Sequence, residues 1–228
     1  MVQNLKTVER RTAVDSVFDH LYSEIVSMQL LPGAKISEAE IAGKFDVSRQ
    51  PVRDAFSRLE NLDLLLIRPQ KATEVKRFSY TAITRARFVR AAVESEVLRR
   101  AARECDKAGA ELLDARLLEQ QDSVKTNDYD RFRSLDYAFH ETICAVGKVD
   151  FAFEVITQEK AKVDRLCVLG LAARDERLDQ LLDDHVAIAT SISNNDEEGA
   201  VKAGMLHLSR LDTTITKIRK EHTDYFDD

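Results

Sequence analysis

Three histidines and one aspartate in the C-terminal part of the chain are the residues best suited to bind a metal ion. His140, His185 and His207 each lie on the apolar stripe of a different predicted helix, and Asp136 precedes His140 by one turn, so the side chains of Asp136 and His140 point the same way. A single histidine on an apolar stripe is usually a hydrogen-bonded core residue, whereas three of them would each need a buried partner. One carboxylate with three neutral imidazoles suits zinc, nickel or manganese. We therefore predict a divalent metal site here, with core histidines as the alternative.

A second set of chemically capable residues lies at the start of a predicted helix near residue 50. Arg49, Gln50 and Arg53 crowd its N-terminal end, directly after Ser48, whose hydroxyl we expect to cap the helix. In the major groove of DNA, Arg can read guanine and Gln can read adenine, while the helix dipole favours a nearby phosphate. The remaining face is apolar and consists of residues at helical spacing: Val52, Ala55, Phe56 and Leu59. Taken alone, this pattern is more typical of an amphipathic helix with solvated arginines.

The segments around this helix predict a winged helix-turn-helix. Ser37 and Glu40 have the spacing of a capping box for a short preceding helix, which ends near Lys44 before a tight turn. After the second helix, a short apolar strand and a second short strand flank a turn that contains Lys71, as in a basic-tipped β-hairpin. The predicted helix, turn, helix and hairpin cover residues 37–45, 45–47, 48–60 and 64–75.

Several motifs in this region resemble the winged helix of the GntR family of bacterial transcription regulators. They are Leu31-Pro32-Gly33, Ser37-Glu38, Val47-Ser48-Arg49-x-Pro51-Val52-Arg53-x-Ala55 and Leu59-Glu60. The chain departs from the family at Asp63 and near Ala72, where Gly is usual, and at Ala39, where relatives often have an Arg that contacts the DNA backbone. The resemblance implies binding to double-stranded operator DNA through six residues: Lys44, Ser48, Arg49, Gln50, Arg53 and Lys71.

Composition indicates a mainly α protein without a membrane segment. The 228 residues are 44% hydrophobic and 32% charged, and they include only seven Gly and three Pro. We find no apolar run of membrane-spanning length and no signal-peptide core, and three widely separated cysteines fit a reducing cytoplasm. The net charge is −6, yet residues 44–77 contain 8 Lys/Arg against 5 Asp/Glu. Basic charge is therefore concentrated where DNA is expected to bind.

We predict two domains, a winged helix-turn-helix DNA-binding domain at 1–78 and an all-helical domain at 79–228. The second domain is predicted to be an all-α six-helix bundle, because short connections favour antiparallel neighbours. Its six helices are expected at about 80–104, 108–126, 128–146, 149–172, 175–193 and 196–221. Few phosphate contacts are available to one winged helix, so we expect a homodimer on two half-sites.

A second resemblance covers the predicted bundle. Asp136-x3-His140, Asp184-His185 and His207-Leu208 match the metal-binding set of the FCD effector domain in the FadR-like branch of the same family. Six helices, not seven, resemble the VanR-type subgroup. Arg90 and Glu94 match a further family position whose Arg commonly faces the effector. The resemblance implies a homodimeric regulator whose operator binding is modulated by a small organic acid held at the metal.

Two other functions could use the same donors. A metalloenzyme would need a general base near the metal, for which Glu94 or Glu141 could serve, although neither has a motif context. A purely structural metal would close a tetrahedral site and leave no position for a ligand. We rank both below a metal-dependent sensor.

Overall fold

The computed structural model describes residues 12–172 and 178–227, which form two compact units divided between Arg77 and Phe78. The division lies one residue earlier than the boundary predicted from the sequence. Phe78 belongs to the second unit because its N–H donates to the carbonyl of Tyr225 and its backbone pairs with Phe226.

The first unit is a winged helix-turn-helix, as predicted. Its elements in chain order are α1 (Ala13–Val26), β1 (Lys35–Ile36), α2 (Glu38–Phe45), α3 (Arg49–Asn61), β2 (Leu65–Leu66) and β3 (Thr73–Val75). The three strands form an antiparallel sheet with β3 in the centre, and Glu74 lies opposite both Lys35 and Leu66. Apolar residues of α1, α3 and the sheet make one core, which holds α3 with its polar end exposed: Val17, Leu21, Ile25, Val52, Phe56, Leu59 and Val75.

Two predicted helix caps in this unit are wrong in detail. Ser48 occupies the N-cap position of α3, but its hydroxyl makes no capping hydrogen bond. The N3 residue is Pro51, which has no N–H to donate, so the usual partner of the cap is missing. Before α2, the hydroxyl of Ser37 accepts from the N–H of Ala39, at 3.2 Å. This bond goes to the second helical residue, and the structure therefore lacks the predicted capping box with Glu40.

Left-handed backbone follows both helices of the motif. Asp46 after α2 has φ +52°, and Asp63 after α3 has φ +62°. Asp tolerates this conformation better than most side chains, since its short polar group bonds locally. Gln70 in the hairpin turn also has a positive φ, +58°, so the strained position of the wing is not Ala72.

The second unit is all-helical, as predicted. Its helices are α4 (Tyr80–Glu104), α5 (Lys107–Lys125), α6 (Tyr129–Val146), α7 (Phe151–Ala172), α8 (Leu178–Ser193), α9 (Glu197–Ser209) and α10 (Leu211–Glu221), followed by a 3₁₀ turn at Thr223–Tyr225. None of the described helices is long and apolar enough to cross a membrane.

The sixth predicted helix is divided at Arg210 into α9 and α10, so the described bundle has seven helices where six were predicted. The N–H of Arg210 bonds to the carbonyl of His207, three residues back, which interrupts the α-helical pattern. Its guanidinium meanwhile binds Asp184. Neither Gly nor Pro marks this break.

Close packing between α4 and α9 sets the position of the candidate metal ligand His207. A Cβ atom on Gly204 would lie 2.3 Å from Cδ1 of Leu98, a distance that no side chain could keep without movement. Gly204 therefore lets α9 approach α4 closely, and His207 follows it on the same helix. The core beneath is apolar and includes Val97, Ala101, Phe139, Ile143, Ile188, Ile192 and Ala200.

Candidate functional site

The four predicted metal donors lie together in the second unit. Asp136 and His140 come from α6, His185 from α8 and His207 from α9. One ligand atom from each lies within 4.8 Å of the others, and Asp136, His140 and His185 are buried. Oδ1 of Asp136 lies 3.3 Å from Nε2 of His185 and 3.8 Å from Nε2 of His140.

Three imidazole nitrogens of this cluster have no hydrogen-bond partner among the described residues. They are Nε2 of His140, Nε2 of His185 and Nδ1 of His207, each buried from solvent. A buried polar atom without a partner costs about 1–3 kcal/mol, so core histidines would rarely be arranged in this way. A divalent ion would give all three nitrogens a partner. The donor set fits such an ion, and this favours the metal site over the core-histidine alternative.

A glutamine that the sequence analysis missed orients His185. Oε1 of Gln120 on α5 lies 2.8 Å from Nδ1 of His185, and its Nε2 donates to the carbonyl of Leu135 at 3.2 Å. Because the glutamine amide uses its own N–H₂ on Leu135, its oxygen accepts from Nδ1–H of the imidazole. That tautomer leaves the lone pair on Nε2, the atom that faces Asp136.

Arg90 and Glu94 form an ion pair beside the cluster. Nε of Arg90 donates to Oε1 of Glu94 at 2.8 Å, and Oε2 of Glu94 lies 3.5 Å from Nδ1 of His140. Both members of the pair are buried, so it is not the surface pair that the i,i+4 spacing alone would suggest. Burial disfavours charge on Glu94, but Arg90 outweighs this effect and lowers the pKa of the carboxyl.

Lys160 on α7 is a site residue that the sequence analysis did not find. Its Nζ lies 3.1 Å from Oδ2 of Asp136 and 2.8 Å from Oδ1 of Asp164, and the lysine is buried. A signal was present in the sequence, since Lys160 lies on the apolar stripe of Ile156 and Val163 with Asp164 one turn later.

The side chains of the cluster have the protonation states that metal ligands need. Burial lowers the pKa of His140 to about 3 despite the nearby carboxylates, and burial also lowers the pKa of His185. Burial would raise the pKa of Asp136, but the charge of Lys160 and the neighbouring histidines hold it well below its ordinary value. Asp136 is therefore ionised and these imidazoles are neutral at pH 7, which is the state that binds a metal.

His207 is flanked by a second ion pair. Its Nδ1 lies 3.8 Å from Oδ2 of Asp184, and Arg210 donates to both oxygens of that carboxylate at 3.0 and 2.9 Å. Burial opposes charge on Asp184, yet the nearby His207 and the hydrogen bonds from Arg210 lower its pKa to about 2. The residue that divides α9 from α10 thus also fixes a carboxylate beside the cluster.

The candidate DNA-binding residues of the first unit are exposed. Ser48, Arg49 and Gln50 lie at the beginning of α3, and Arg53 follows one turn later. Nε of Arg53 donates to Glu38 at 2.9 Å, whereas Arg49 has no polar partner in the described part of the chain.

The other candidate DNA contacts also make surface pairs. Nε2 of Gln50 donates to Asp54 at 2.9 Å, and Nζ of Lys44 lies 2.8 Å from Nε2 of His20. Lys71 is exposed in the turn between β2 and β3. These contacts lie at the solvent-exposed surface, so each can be exchanged for a phosphate or a base at low cost.

Neither general base suggested for an enzyme is suitably placed. Glu94 is committed to Arg90 through a 2.8 Å hydrogen bond, and Glu141 is exposed to solvent. A hydrolytic metal site needs a base that can accept a proton from the bound water.

Comparisons with known families divide the chain in the same way. Residues 13–75 match the family described as bacterial regulatory proteins, gntR family, and residues 86–210 match the FCD domain. The chain is 30% identical over 210 residues to the HTH-type transcriptional repressor RspR of Escherichia coli K12, covering 92% of each protein. It is 27% identical to the probable D-xylose utilization operon transcriptional repressor of Paenarthrobacter nicotinovorans, covering 90% of this chain and 89% of that protein.

A solved structure shows the same fold. E. coli McbR/YncC aligns with a TM-score of 0.72 at 16% identity, over 93% of this chain and 100% of the other. At that identity, the likeness concerns the arrangement of the helices and the wing, not the ligand.

Proposed function

The chain belongs to the GntR family of bacterial regulatory proteins, and from this premise we propose that it is a cytoplasmic homodimer whose operator binding is controlled by a small carboxylate effector at a divalent metal. It is a DNA-binding transcription regulator with a GntR helix-turn-helix domain and an FCD domain, and it is not an enzyme.

One observation supports the metal above all others. Three buried imidazole nitrogens, from three helices, lack a hydrogen-bond partner among the described residues and share one carboxylate as neighbour. Neutral imidazole and carboxylate are suitable ligands for zinc, nickel or manganese. Asp136, His140, His185 and His207 would hold the ion, which supplies a positive charge that attracts an anionic ligand.

The proposed effector is a small organic acid with its carboxylate on the metal. The protein offers four donor atoms, so an ion that prefers six ligands keeps positions for a ligand oxygen. Arg90 donates to Glu94 only through Nε, and its terminal amino groups make no hydrogen bond within the described residues. We propose that they contact the effector, and we favour intermediates of sugar-acid or aromatic-acid catabolism.

The proposed DNA complex is a homodimer on two half-sites, with Arg49, Gln50 and Arg53 of each α3 in the major groove. Ser48, Lys44 and Lys71 would contact phosphates. Basic charge over residues 44–77 exceeds acidic charge by only three, so one unit offers few phosphate contacts. Repression is the favoured direction of control, since the relatives compared above are named as repressors.

We further assign the chain to the VanR-type subgroup. Only Arg210 lies between α9 and α10, so the seven described helices reduce to six when the predicted sixth helix is counted as one helix with a break at Arg210. Seven independent helices would place it elsewhere in the FadR-like branch.

The proposal is tested by measuring metal content and operator binding together. Protein purified without added metal is analysed for zinc, nickel and manganese, and a binding sequence is selected from randomised DNA. Binding to that sequence is then titrated with a panel of sugar acids and aromatic acids, with and without chelator. We expect near-stoichiometric metal and an acid whose effect on DNA binding disappears with chelation.

Other outcomes would contradict parts of the proposal. Bound metal with no response to any acid would favour a structural ion. Absence of metal, with no stabilisation on adding it, would restore the core-histidine interpretation.

A further inference from the structure

We propose that Lys160 is a positioning residue that restricts Asp136 to a single donor oxygen and thereby keeps a position on the metal free for the effector carboxylate. This inference rests on the proposed function and assigns a role to a residue outside the donor set.

The two oxygens of Asp136 face different partners. Oδ1 points to the imidazoles, 3.3 Å from Nε2 of His185 and 3.8 Å from Nε2 of His140, whereas Oδ2 lies 3.1 Å from Nζ of Lys160. A carboxylate can hold a cation through one oxygen or through both. Here an ammonium group already holds the second oxygen, so the ion receives only the first.

Lys160 is itself fixed in place. Its Nζ donates to Oδ1 of Asp164 at 2.8 Å, and the other oxygen of Asp164 accepts from the hydroxyl of Tyr137. The ammonium also lies 4.4 Å from the centre of the Tyr137 ring, in cation–π range. Lys160 and Asp164 are both buried, and the lysine therefore has little freedom to leave Asp136.

Two carboxylates surround the ammonium of Lys160, since its Nζ lies 3.1 Å from Oδ2 of Asp136 and 2.8 Å from Oδ1 of Asp164. A cation on Asp136 would reduce the negative charge that this carboxylate offers to a bound ion. A bound ion would then keep more of its positive charge for an incoming anion.

A substitution separates this role from simple orientation of a ligand. Residues that only orient a metal ligand typically lower metal affinity about 10- to 100-fold when removed. If Lys160 instead withholds an oxygen, Lys160→Met lets Oδ2 bind the ion, so metal affinity is kept or raised while a competing carboxylate binds more weakly. We expect acetate affinity to fall by about tenfold or more, which corresponds to about 1.4 kcal/mol.

The experiment uses the full chain loaded with Co²⁺, with acetate as the probe. The visible absorption of Co²⁺ reports its ligands, and acetate titration of that spectrum gives an affinity that does not depend on DNA. Lys162→Met is the matched control, because Lys162 lies on the same helix and binds Glu159, at 2.7 Å. Lys160→Arg keeps the charge at Asp136 and should restore acetate binding.

A second variant serves as a control for misfolding of Lys160→Met. Lys160→Met leaves two buried carboxylates without their cation, so the double variant Lys160→Met/Asp164→Asn removes one of these charges too. Both are checked by circular dichroism, and the inference applies to whichever is folded.

Expected and contrary results are distinct. Retained Co²⁺, a changed spectrum and weakened acetate binding in the Lys160→Met background, with normal behaviour of Lys162→Met, would support the inference. Unchanged acetate affinity, or a 10- to 100-fold loss of metal alone, would overturn it while leaving the metal site intact. Failure of the unmodified chain to bind Co²⁺ would overturn the metal site and this inference together.

Discussion

In the candidate metal site each predicted donor is fully or nearly buried and lies near other polar groups, whereas the predicted DNA-binding residues at the start of α3 are exposed. The pairs Arg90–Glu94 and Arg53–Glu38 show the contrast. Their Nε–Oε distances are 2.8 and 2.9 Å, yet the side chains of the first are 9% and 6% exposed and those of the second 56% and 34%. Two ion pairs of nearly equal length therefore differ in how much stability is lost when one partner is removed, because only the first pair is shielded from water.

This difference suits the two tasks. A binding pocket needs donors fixed before the ligand arrives, which buried partners provide. A DNA-reading surface must exchange its own contacts for bases and phosphates, and solvent-exposed pairs can be broken at little cost. We expect substitutions in the buried cluster to change stability strongly, and substitutions of the exposed residues of α3 to change DNA affinity alone.

The largest effect is expected from Arg90→Ala. It leaves Glu94 buried without its cation, and breaking a buried pair costs about 3–5 kcal/mol of the free energy of unfolding. Arg100→Ala is the matched control, since Arg100 pairs with Glu96 on the same helix at the same 2.8 Å but at 50% and 56% exposure. There we expect almost no loss of stability, because water screens an exposed ion pair. Urea unfolding measures both, and equal losses would contradict the contrast drawn from burial.

The effector role of Arg90 needs a variant that does not leave Glu94 buried without a cation. Because a single Arg90→Ala variant would be destabilised, the double variant Arg90→Met/Glu94→Gln is preferable, as it removes both charges together. It should bind DNA normally and lose its response to the acid. An unchanged response would place the effector away from Arg90.

Metal removal is expected to have the next largest effect. A ligand that binds only the folded state stabilises it by about 2.7 kcal/mol when its free concentration is 100 times Kd. Hydrogen exchange resolved by segment should show chelation deprotecting α6, α8 and α9, with α3 unaffected. His207→Ala should abolish the difference between metal-loaded and chelated protein. Equal deprotection of α3 would show that the two units are not energetically separate.

Acid should destabilise the metal-free bundle before it affects the first unit. The pKa of His140 is about 3 in the folded chain and about 6.5 in the unfolded chain, so between these values the unfolded state binds the extra proton. Stability is therefore full above pH 6.5 and decreases as pH falls toward 3. Urea unfolding of chelated protein at pH 7, 6 and 5 measures this decrease, which His140→Gln should reduce. Equal free energies of unfolding at these three pH values would contradict a lowered pKa for His140.

At α3 the expected effects appear in DNA binding. Arg49→Ala and Arg53→Ala should each cost about 1–3 kcal/mol of specific affinity if these side chains read bases. Stability should change by less than about 0.5 kcal/mol, because both side chains are exposed. Arg53 should show the smaller loss, since it must first leave Glu38. Gel shifts with undiminished specific binding by the double variant would refute the assignment.

The sequence predicted most of this arrangement where the information is local. Helical spacing placed Asp136 and His140 on one face, and motif resemblance joined them to His185 and His207. Lys160 was missed because its contact with Asp136 depends on how α7 is rotated against α6, which spacing along one helix cannot show. The break at Arg210 was missed for a similar reason, since its partner Asp184 lies on α8 and no Gly or Pro accompanies it.

The missing cap at Ser48 could have been found from the sequence. Pro51 stands three residues after Ser48, where the capping N–H should be, and Pro has none. The free hydroxyl at the N-terminus of α3 is instead available to a phosphate. The residue that lacks its expected capping hydrogen bond is thus also a proposed contact to DNA phosphate.

The smallest effects concern two left-handed residues, Asp63 before the wing and Gln70 in the turn of the wing. Left-handed backbone costs an ordinary side chain about 1–2 kcal/mol, and Gly avoids this cost but adds about 0.4–1 kcal/mol of chain entropy to the unfolded state. Gln70 is exposed and makes no polar contact within the described residues, so Gln70→Gly should stabilise the first unit by about 0.5 kcal/mol. Asp63 pairs with Lys76 and suits this conformation better, so Asp63→Gly should gain nothing. Urea unfolding followed through the exchange of α3 amides measures both, and a larger gain from Asp63→Gly than from Gln70→Gly would show that the Lys76 pair contributes no stability.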